Sequence, residues 1–132
     1  YLEGVNVELM ANSDNVLRGG LTPKYIDVPE LMKHLHFDSV IPNILTPTSS
    51  DGTEWLVKTP APDFELSAIE LKDGKKYNRA VSQSPEIYLI LEGEIELKDN
   101  FSFSKGEAFF VPAASEFEMT GQGFVFKASV PY

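Results

Sequence analysis

The amino-acid sequence predicts an all-β fold, a jelly roll or β-sandwich of antiparallel strands with one short helix near the N-terminus. Three observations favour this fold. Residues 63–132 consist of short apolar runs separated by turn residues at regular spacing, which is typical of sandwiches and barrels. Residues 41–62 contain four prolines, which exclude a long helix there. Asp27 is followed by Pro29 and Glu30, a combination that marks the start of a helix.

The N-terminal segment is predicted as a strand followed by a capped turn. Residues 5–10 alternate between polar and apolar side chains, as a strand does. Asp14 is a suitable cap for a helical turn, and Gly19-Gly20 would end that turn, so it covers residues 15–18 at most. Asp14 and Arg18 are four residues apart and would share one face of the turn. From this spacing alone, a surface ion pair is the simpler interpretation.

The remaining elements follow in order along the chain. The helix that begins after Asp27 is expected to end near His36. Leu31 and Leu35 form its apolar side. Trp55-Leu-Val57 is expected to be an edge strand or an anchor that docks on another domain. The later strands are predicted at residues 64–71, 87–91, 94–97, 101–103, 108–111, 117–119 and 124–130, with a turn at 92–93.

Composition limits what the protein can bind. The formal net charge is −9, and an acidic surface argues against nucleic acid as a partner. There is no cysteine, which excludes disulfides and thiolate metal sites. No apolar run approaches the roughly 20 residues that cross a bilayer, so we expect a cytoplasmic protein without a membrane partner. Any phosphate on a substrate must then be held by local positive charge, for which Arg18 and Lys24 are the candidates.

Residues 8–31 have a distinctive sequence, ELMANSDNVLRGGLTPKYIDVPEL. This segment resembles the signature of class I mannose-6-phosphate isomerases, the zinc-dependent enzymes of the cupin superfamily. The resemblance implies that residues 1–45 are the end of the catalytic domain and residues 46–132 a metal-free, cupin-like C-terminal domain. The zinc ligands of the family, a glutamine, a glutamate and two histidines, would all precede Tyr1. The partners would be a sugar phosphate and the missing catalytic domain, and the 132 residues alone would be inactive.

The same resemblance implies roles for five residues. Arg18 would act with zinc to stabilise the charged enediol that forms as mannose 6-phosphate becomes fructose 6-phosphate. Asp14 would transfer a proton or orient that arginine, and Glu8 would point into the cleft near the zinc. Lys24 and Tyr1 would contact the substrate. Four of these residues also have a structural interpretation: Arg18 as an ion-pair partner of Asp14, Asp14 as a helix cap, Glu8 as a solvent-side strand residue and Lys24 as a surface lysine.

Two segments, residues 74–93 and 106–117, have the glycine spacing of the cupin metal motifs. They lack the histidines of those motifs, and the three histidine positions hold Ala80, Ser82 and Phe117. Glu86 stands at the position of the remaining ligand, but a single carboxylate cannot hold zinc, which takes three or four ligands. We therefore expect a jelly roll without a metal, in which these four side chains lie together in the interior.

An alternative function follows from the same missing histidines. A non-catalytic cupin-like module that binds a sugar or supports assembly would also lack them. His34 and His36 form a His-x-His pair, but residues two apart on a helix point to different faces, so we interpret both as surface histidines. We therefore expect no cofactor in this chain, and zinc only in the complete enzyme. A metal-ligating pattern upstream of Tyr1 would favour the enzyme over the binding module.

Overall fold

The structure, a computed structural model, describes residues 3–12, 16–49, 51–72 and 74–131. These residues form one helix and seven strands, so the predicted all-β class with one short helix is confirmed. The elements are α1 (Val28–His34), β1 (Glu54–Val57), β2 (Glu65–Leu71), β3 (Tyr77–Arg79), β4 (Glu86–Leu97), β5 (Ser102–Ser104), β6 (Ala108–Val111) and β7 (Phe117–Ser129). The chain divides into two compact units, residues 11–44 and residues 1–10 with 45–132.

The helix α1 begins where the sequence predicts it. The Asp27 carboxylate accepts a hydrogen bond from the Glu30 backbone N–H at 3.0 Å, which satisfies a donor that the first turn leaves free. The helix ends at His34, two residues before the predicted end, because Leu35 already has an extended backbone. No helix in the described ranges is long and apolar enough to cross a membrane.

The predicted strand at residues 5–10 is not formed among the described residues. Val7 and Leu9 are half-buried and Glu8 between them is exposed, so the expected alternation is present. A strand also needs a neighbour for its backbone groups, and no described segment pairs with this one. The predicted turn at 15–18 lies partly outside the described residues, and Val16 to Arg18 are not helical.

The sheet is antiparallel throughout and is organised by its two long strands. Its main order is β1-β2-β7-β4-β5, while β3 pairs with β7 and β6 with β4. Strands β4 and β7 pair with each other over almost their whole lengths, from Ile87 opposite Ala128 to Leu97 opposite Met119. The predicted jelly-roll class is confirmed, and its seven strands belong to one continuous hydrogen-bonded sheet.

Strands β4 and β7 replace pairs of shorter strands predicted from the sequence. The predicted turn at 92–93 is wrong, since the chain continues through it with a register shift between Ile90 and Glu92. Gly93 has a φ of +82°, and a Cβ there would lie 1.9 Å from the carbonyl oxygen of Gln122. The glycine thus permits a close approach of two backbones within the sheet, instead of a reversal of the chain.

The core lies on the inner side of this sheet. Its fully buried apolar residues come from β2, β3, β4, β6 and β7, and aromatic rings from β5, β6 and β7 pack against them. The Tyr88 and Phe109 rings stack with centroids 4.8 Å apart, and Phe117 meets Tyr88 edge-on at 5.2 Å. Such aromatic pairs each contribute about 0.5–1.5 kcal/mol beyond the area they bury. These rings pack against the buried core, and one of them, Phe117, stands at a cupin-motif position.

Candidate functional site

The predicted catalytic segment is only partly described. Tyr1 and Asp14 lie outside the described residues, so their predicted roles are not tested. Glu8 is exposed and belongs to the unit that contains the sheet. Arg18, which is half-buried, and Lys24, which is exposed, belong to the unit of residues 11–44. The roles of all five residues stay predictions.

Local geometry explains the position of Arg18 within its own unit. Two glycines follow it, and Gly20 has a φ of +92°, a conformation that favours glycine. A Cβ on Gly19 would lie 3.2 Å from the Leu31 Cδ2 atom of α1. The absence of a side chain on Gly19 thus lets the backbone after Arg18 pass close to the helix. Helix α1, anchored by its Asp27 cap, is therefore the local support for this segment.

A second candidate site lies inside the sheet, around Glu86. This residue is only 1% exposed. Its carboxylate accepts hydrogen bonds from Arg79 Nε at 3.0 Å and from Arg79 Nη2 at 2.5 Å. The Tyr88 hydroxyl donates to Glu86 Oε2 at 2.8 Å. A two-pronged guanidinium and a phenol thus occupy both carboxylate oxygens.

The same contacts keep Glu86 ionised. Burial acts to raise the pKa of its carboxyl, but the hydrogen bonds from Arg79 and Tyr88 outweigh burial and hold the pKa below its usual range. Hydrogen bonding to Glu86 also raises the pKa of Arg79. Burial raises the pKa of Tyr88, so the phenol is a neutral donor at neutral pH. The centre is therefore a closed ion pair with one supporting hydroxyl.

A parallel cluster lies further along the inner side. Lys127, 5% exposed, forms an ion pair with Glu54, and the Tyr77 hydroxyl donates to Glu54 Oε2 at 2.9 Å. Burial acts to raise the pKa of Glu54, and the contacts with Lys127 and Tyr77 lower it more. Each cluster thus contains one carboxylate, one cation and one tyrosine. Together the two clusters form a polar region on the inner side of the sheet.

The four cupin-motif positions are not all gathered in the interior. Glu86 and Ser82 are buried, and Phe117 contacts the Tyr88 ring that donates to Glu86. The Ser82 hydroxyl donates instead to the Ser84 carbonyl at 2.6 Å. Ala80 is exposed, where it lines a surface cleft of about 460 Å³ together with Phe117. The predicted interior placement is wrong for Ala80, which is exposed and follows the last residue of β3, Arg79.

The residues that the structure describes do not fit a zinc ion. They contain no group of three His, Cys, Asp or Glu side chains that could hold a metal. Glu86 already shares both oxygens with Arg79 and Tyr88, and zinc needs at least three such ligands. His34 contacts the Glu30 carboxylate on the surface of α1 at 3.1 Å.

Comparison with known proteins gives the relationship of the chain. No family model matches it. It is 41% identical over 127 residues to mannose-6-phosphate isomerase of Escherichia coli, an alignment that covers 93% of this chain and 32% of that protein. It is 37% identical over 132 residues to mannose-6-phosphate isomerase 2 of Arabidopsis thaliana, covering 96% of this chain and 30% of that protein. The chain is similar to the C-terminal part of mannose-6-phosphate isomerases.

Solved structures support the same relationship. Mannose 6-phosphate isomerase from Salmonella typhimurium, bound to substrate (f6p) and a zinc atom, has a TM-score of 0.76 and 33% identity. That match covers 93% of this chain and 32% of the isomerase. The chain thus spans about a third of the length of the mannose-6-phosphate isomerases it matches. The resemblance to mannose-6-phosphate isomerases that residues 8–31 predict is thus confirmed in both sequence and fold.

The polar interior of this isomerase-like segment was not predicted from its sequence. Sequence patterns singled out Glu86 through the cupin motif but not its partners Arg79 and Tyr88. One available signal was alternation, because Tyr88 shares the inward face of β4 with Glu86 and Ile90. The same rule indicates that Lys127 faces inward, because it lies two residues after the buried Val125 on β7. A charged side chain on an inward-facing strand position predicts a buried partner.

The carboxylates of Glu86, which is buried, and Glu54, which is half-buried, should make stability depend on acid pH. Their pKa values are lower in the folded than in the unfolded chain, where a glutamate has a pKa of about 4.3. Their stabilisation is therefore complete above that value and is lost as pH falls through the folded pKa. We expect the melting temperature to fall between about pH 5 and pH 3, and to fall less steeply in Glu86→Gln. Melting curves measured across this range test the prediction, and equal slopes in both proteins would contradict it.

Proposed function

We propose that this chain is the C-terminal part of a zinc-dependent enzyme that interconverts mannose 6-phosphate and fructose 6-phosphate. The observation that carries the proposal is the 41% identity with the Escherichia coli isomerase across 93% of the chain. The fold supports it, since the solved isomerase with bound substrate and zinc superposes with a TM-score of 0.76. Zinc would be held by residues outside this chain, because the described residues do not supply a ligand set. A cytoplasmic location is part of the proposal.

Arg18 is the residue to which we assign the main catalytic role in this chain. The reaction moves a proton between C2 and C1 of the sugar and passes through an enediol that carries negative charge on oxygen. A guanidinium presents several N–H donors in one plane and keeps its charge, so it can stabilise that oxygen as the charge develops. Its half-buried setting limits the competition from water.

The other four residues have supporting roles in the proposal. Asp14 orients Arg18 or takes part in the proton transfer, and Glu8 lies at the same cleft in the complete enzyme. Lys24 and Tyr1 contact the substrate, with Lys24 supplying positive charge near the phosphate. This local charge is needed, since the net charge of −9 repels a sugar phosphate at long range. The proposed site therefore combines local cations with an acidic protein.

The test is an activity assay on the full-length protein and on the 132-residue chain. We expect the full-length protein to convert mannose 6-phosphate to fructose 6-phosphate, and to lose that activity after removal of zinc by a chelator and regain it when zinc is restored. The 132-residue chain alone should be inactive, since its described residues supply no metal ligand set. A full-length protein that lacks activity with zinc present would contradict the proposal. Such a result would favour the non-catalytic sugar-binding or assembly module.

A further inference from the structure

Five strands of the sheet present a continuous apolar surface on their outer side. The strands are β1, β2, β7, β4 and β6, paired in that order. Directly opposed residues of an antiparallel sheet project from the same face, so the register shows which side chains are neighbours. One row consists of Val57, Leu66, Ala128, Ile87 and Phe110. The next row consists of Trp55, Ala68, Phe126, Leu89 and Ala108.

These ten residues, which we call the outer apolar face, include no charged or polar side chain. Ile87 is 52% exposed and Phe110 is 62% exposed. The next row contains charged side chains, because Glu70 and Glu92 lie on either side of Phe124 on the neighbouring strands. An apolar centre with a charged rim is the usual anatomy of a protein–protein interface.

The inner side of the same strands contains polar residues, so the placement of apolar and polar side chains on this sheet is unusual. An antiparallel sheet with one solvated side normally places its apolar residues inward and its polar residues outward. Here Lys127, Glu86 and Ser67 are buried on the inner side, and the outer side of the same strands is apolar. Leaving that surface in water forgoes about 25 cal/mol for each Å² of apolar area. The pattern indicates that the outer face is covered in the complete protein.

We propose that the outer apolar face binds the part of the polypeptide that mannose-6-phosphate isomerases have beyond the segment matched here. This inference rests on the proposed function, in which the chain belongs to a longer enzyme. The relatives are about three times as long as the matched segment, which covers 30–32% of them. A covalently connected domain is present at a high effective concentration, so it can cover the face without a large intrinsic affinity. Pairing of this face with the same face of a second copy is disfavoured because each 132-residue segment carries a net charge of −9.

Photo-crosslinking in the full-length protein identifies what covers the face. Phe110 is replaced by p-benzoylphenylalanine, which keeps an aromatic ring at the centre of the exposed part of the face. Lys105, exposed in the turn between β5 and β6, receives the same residue as a matched control. We expect several-fold more crosslinking from position 110 than from position 105. Mass spectrometry should place the captured peptides outside the 132 residues, within the same molecule.

Three outcomes would overturn the interface. Equal crosslinking from positions 110 and 105 would show an open face. Capture only of peptides within the 132 residues would show that the chain covers its own face. Mixed heavy–light peptides from an isotope-labelled mixture would show a second copy as the occupant. Isomerase activity is measured separately on the unmodified protein, so that an inactive protein with the expected crosslink defeats the proposed function and leaves the interface standing.

Discussion

Replacing Arg18 by lysine in the full-length protein is expected to lower kcat by about 10²–10³-fold, the loss that follows removal of one preorganised donor to a developing oxyanion. Lysine keeps the positive charge but loses the planar set of N–H donors, so the substitution is not conservative at such a site. The charge on the enediol oxygen develops only after the substrate is bound. The loss should therefore fall mainly on kcat, with a smaller change in KM.

Steady-state kinetics with mannose 6-phosphate test this expectation. Zinc content and the melting temperature should stay at the values of the parent protein, since Arg18 is only half-buried and is assigned no metal contact. Lys33→Gln is a matched control, because Lys33 lies in the same unit and its ion pair with Glu30 is on the surface. Full activity of Arg18→Lys would show that the guanidinium acts as a structural partner and would remove the main catalytic assignment.

The sequence predicted the strand content of the fold better than its continuity. Short apolar runs identify where strands lie, because alternation is a local property. Continuity depends on pairing, and β7 is continuous because its whole length lies against β4. Gly93 was predicted to belong to a turn but permits a close approach of two backbones, which only the neighbouring strand reveals. The three-residue strand β3 was too short to leave a pattern.

The sequence identified the segment at residues 8–31 more completely than it identified the polar clusters inside the sheet. Residues 8–31 were recognised through a long, specific segment, and the family assignment followed from it. The interior clusters depend on long-range contacts, such as that between Glu54 and Lys127, which no local spacing encodes. The cupin motif located Glu86 and correctly placed it in the interior. It gave no sign of Arg79, because no motif of the fold requires an arginine there.

Removing the Arg79 side chain should destabilise the protein strongly. Arg79→Met leaves the Glu86 carboxylate buried with only the Tyr88 hydroxyl as a partner. Breaking a buried pair in this way costs roughly 3–5 kcal/mol. We expect a value near the lower end, about 3 kcal/mol, because the Arg79 side chain is 26% exposed and its loss would admit water. Lys76→Met, which breaks the exposed pair with Glu118, should cause little change.

The pH dependence of this variant separates an unpaired charge from a simple loss of packing. Without the guanidinium, burial is the main influence on Glu86, so its pKa in the folded variant should lie above that of the unfolded chain. Protonation then stabilises the folded variant, and its deficit relative to the parent should shrink as the pH is lowered from neutrality. Adding Glu86→Gln to Arg79→Met removes the charge altogether and should restore part of the lost stability at pH 7. Denaturant unfolding of the two single variants and the double variant at neutral and acid pH measures these differences. A deficit that is the same at every pH, and is not reduced by Glu86→Gln, would show that Arg79 stabilises the fold through packing of its alkyl stem rather than through its charge.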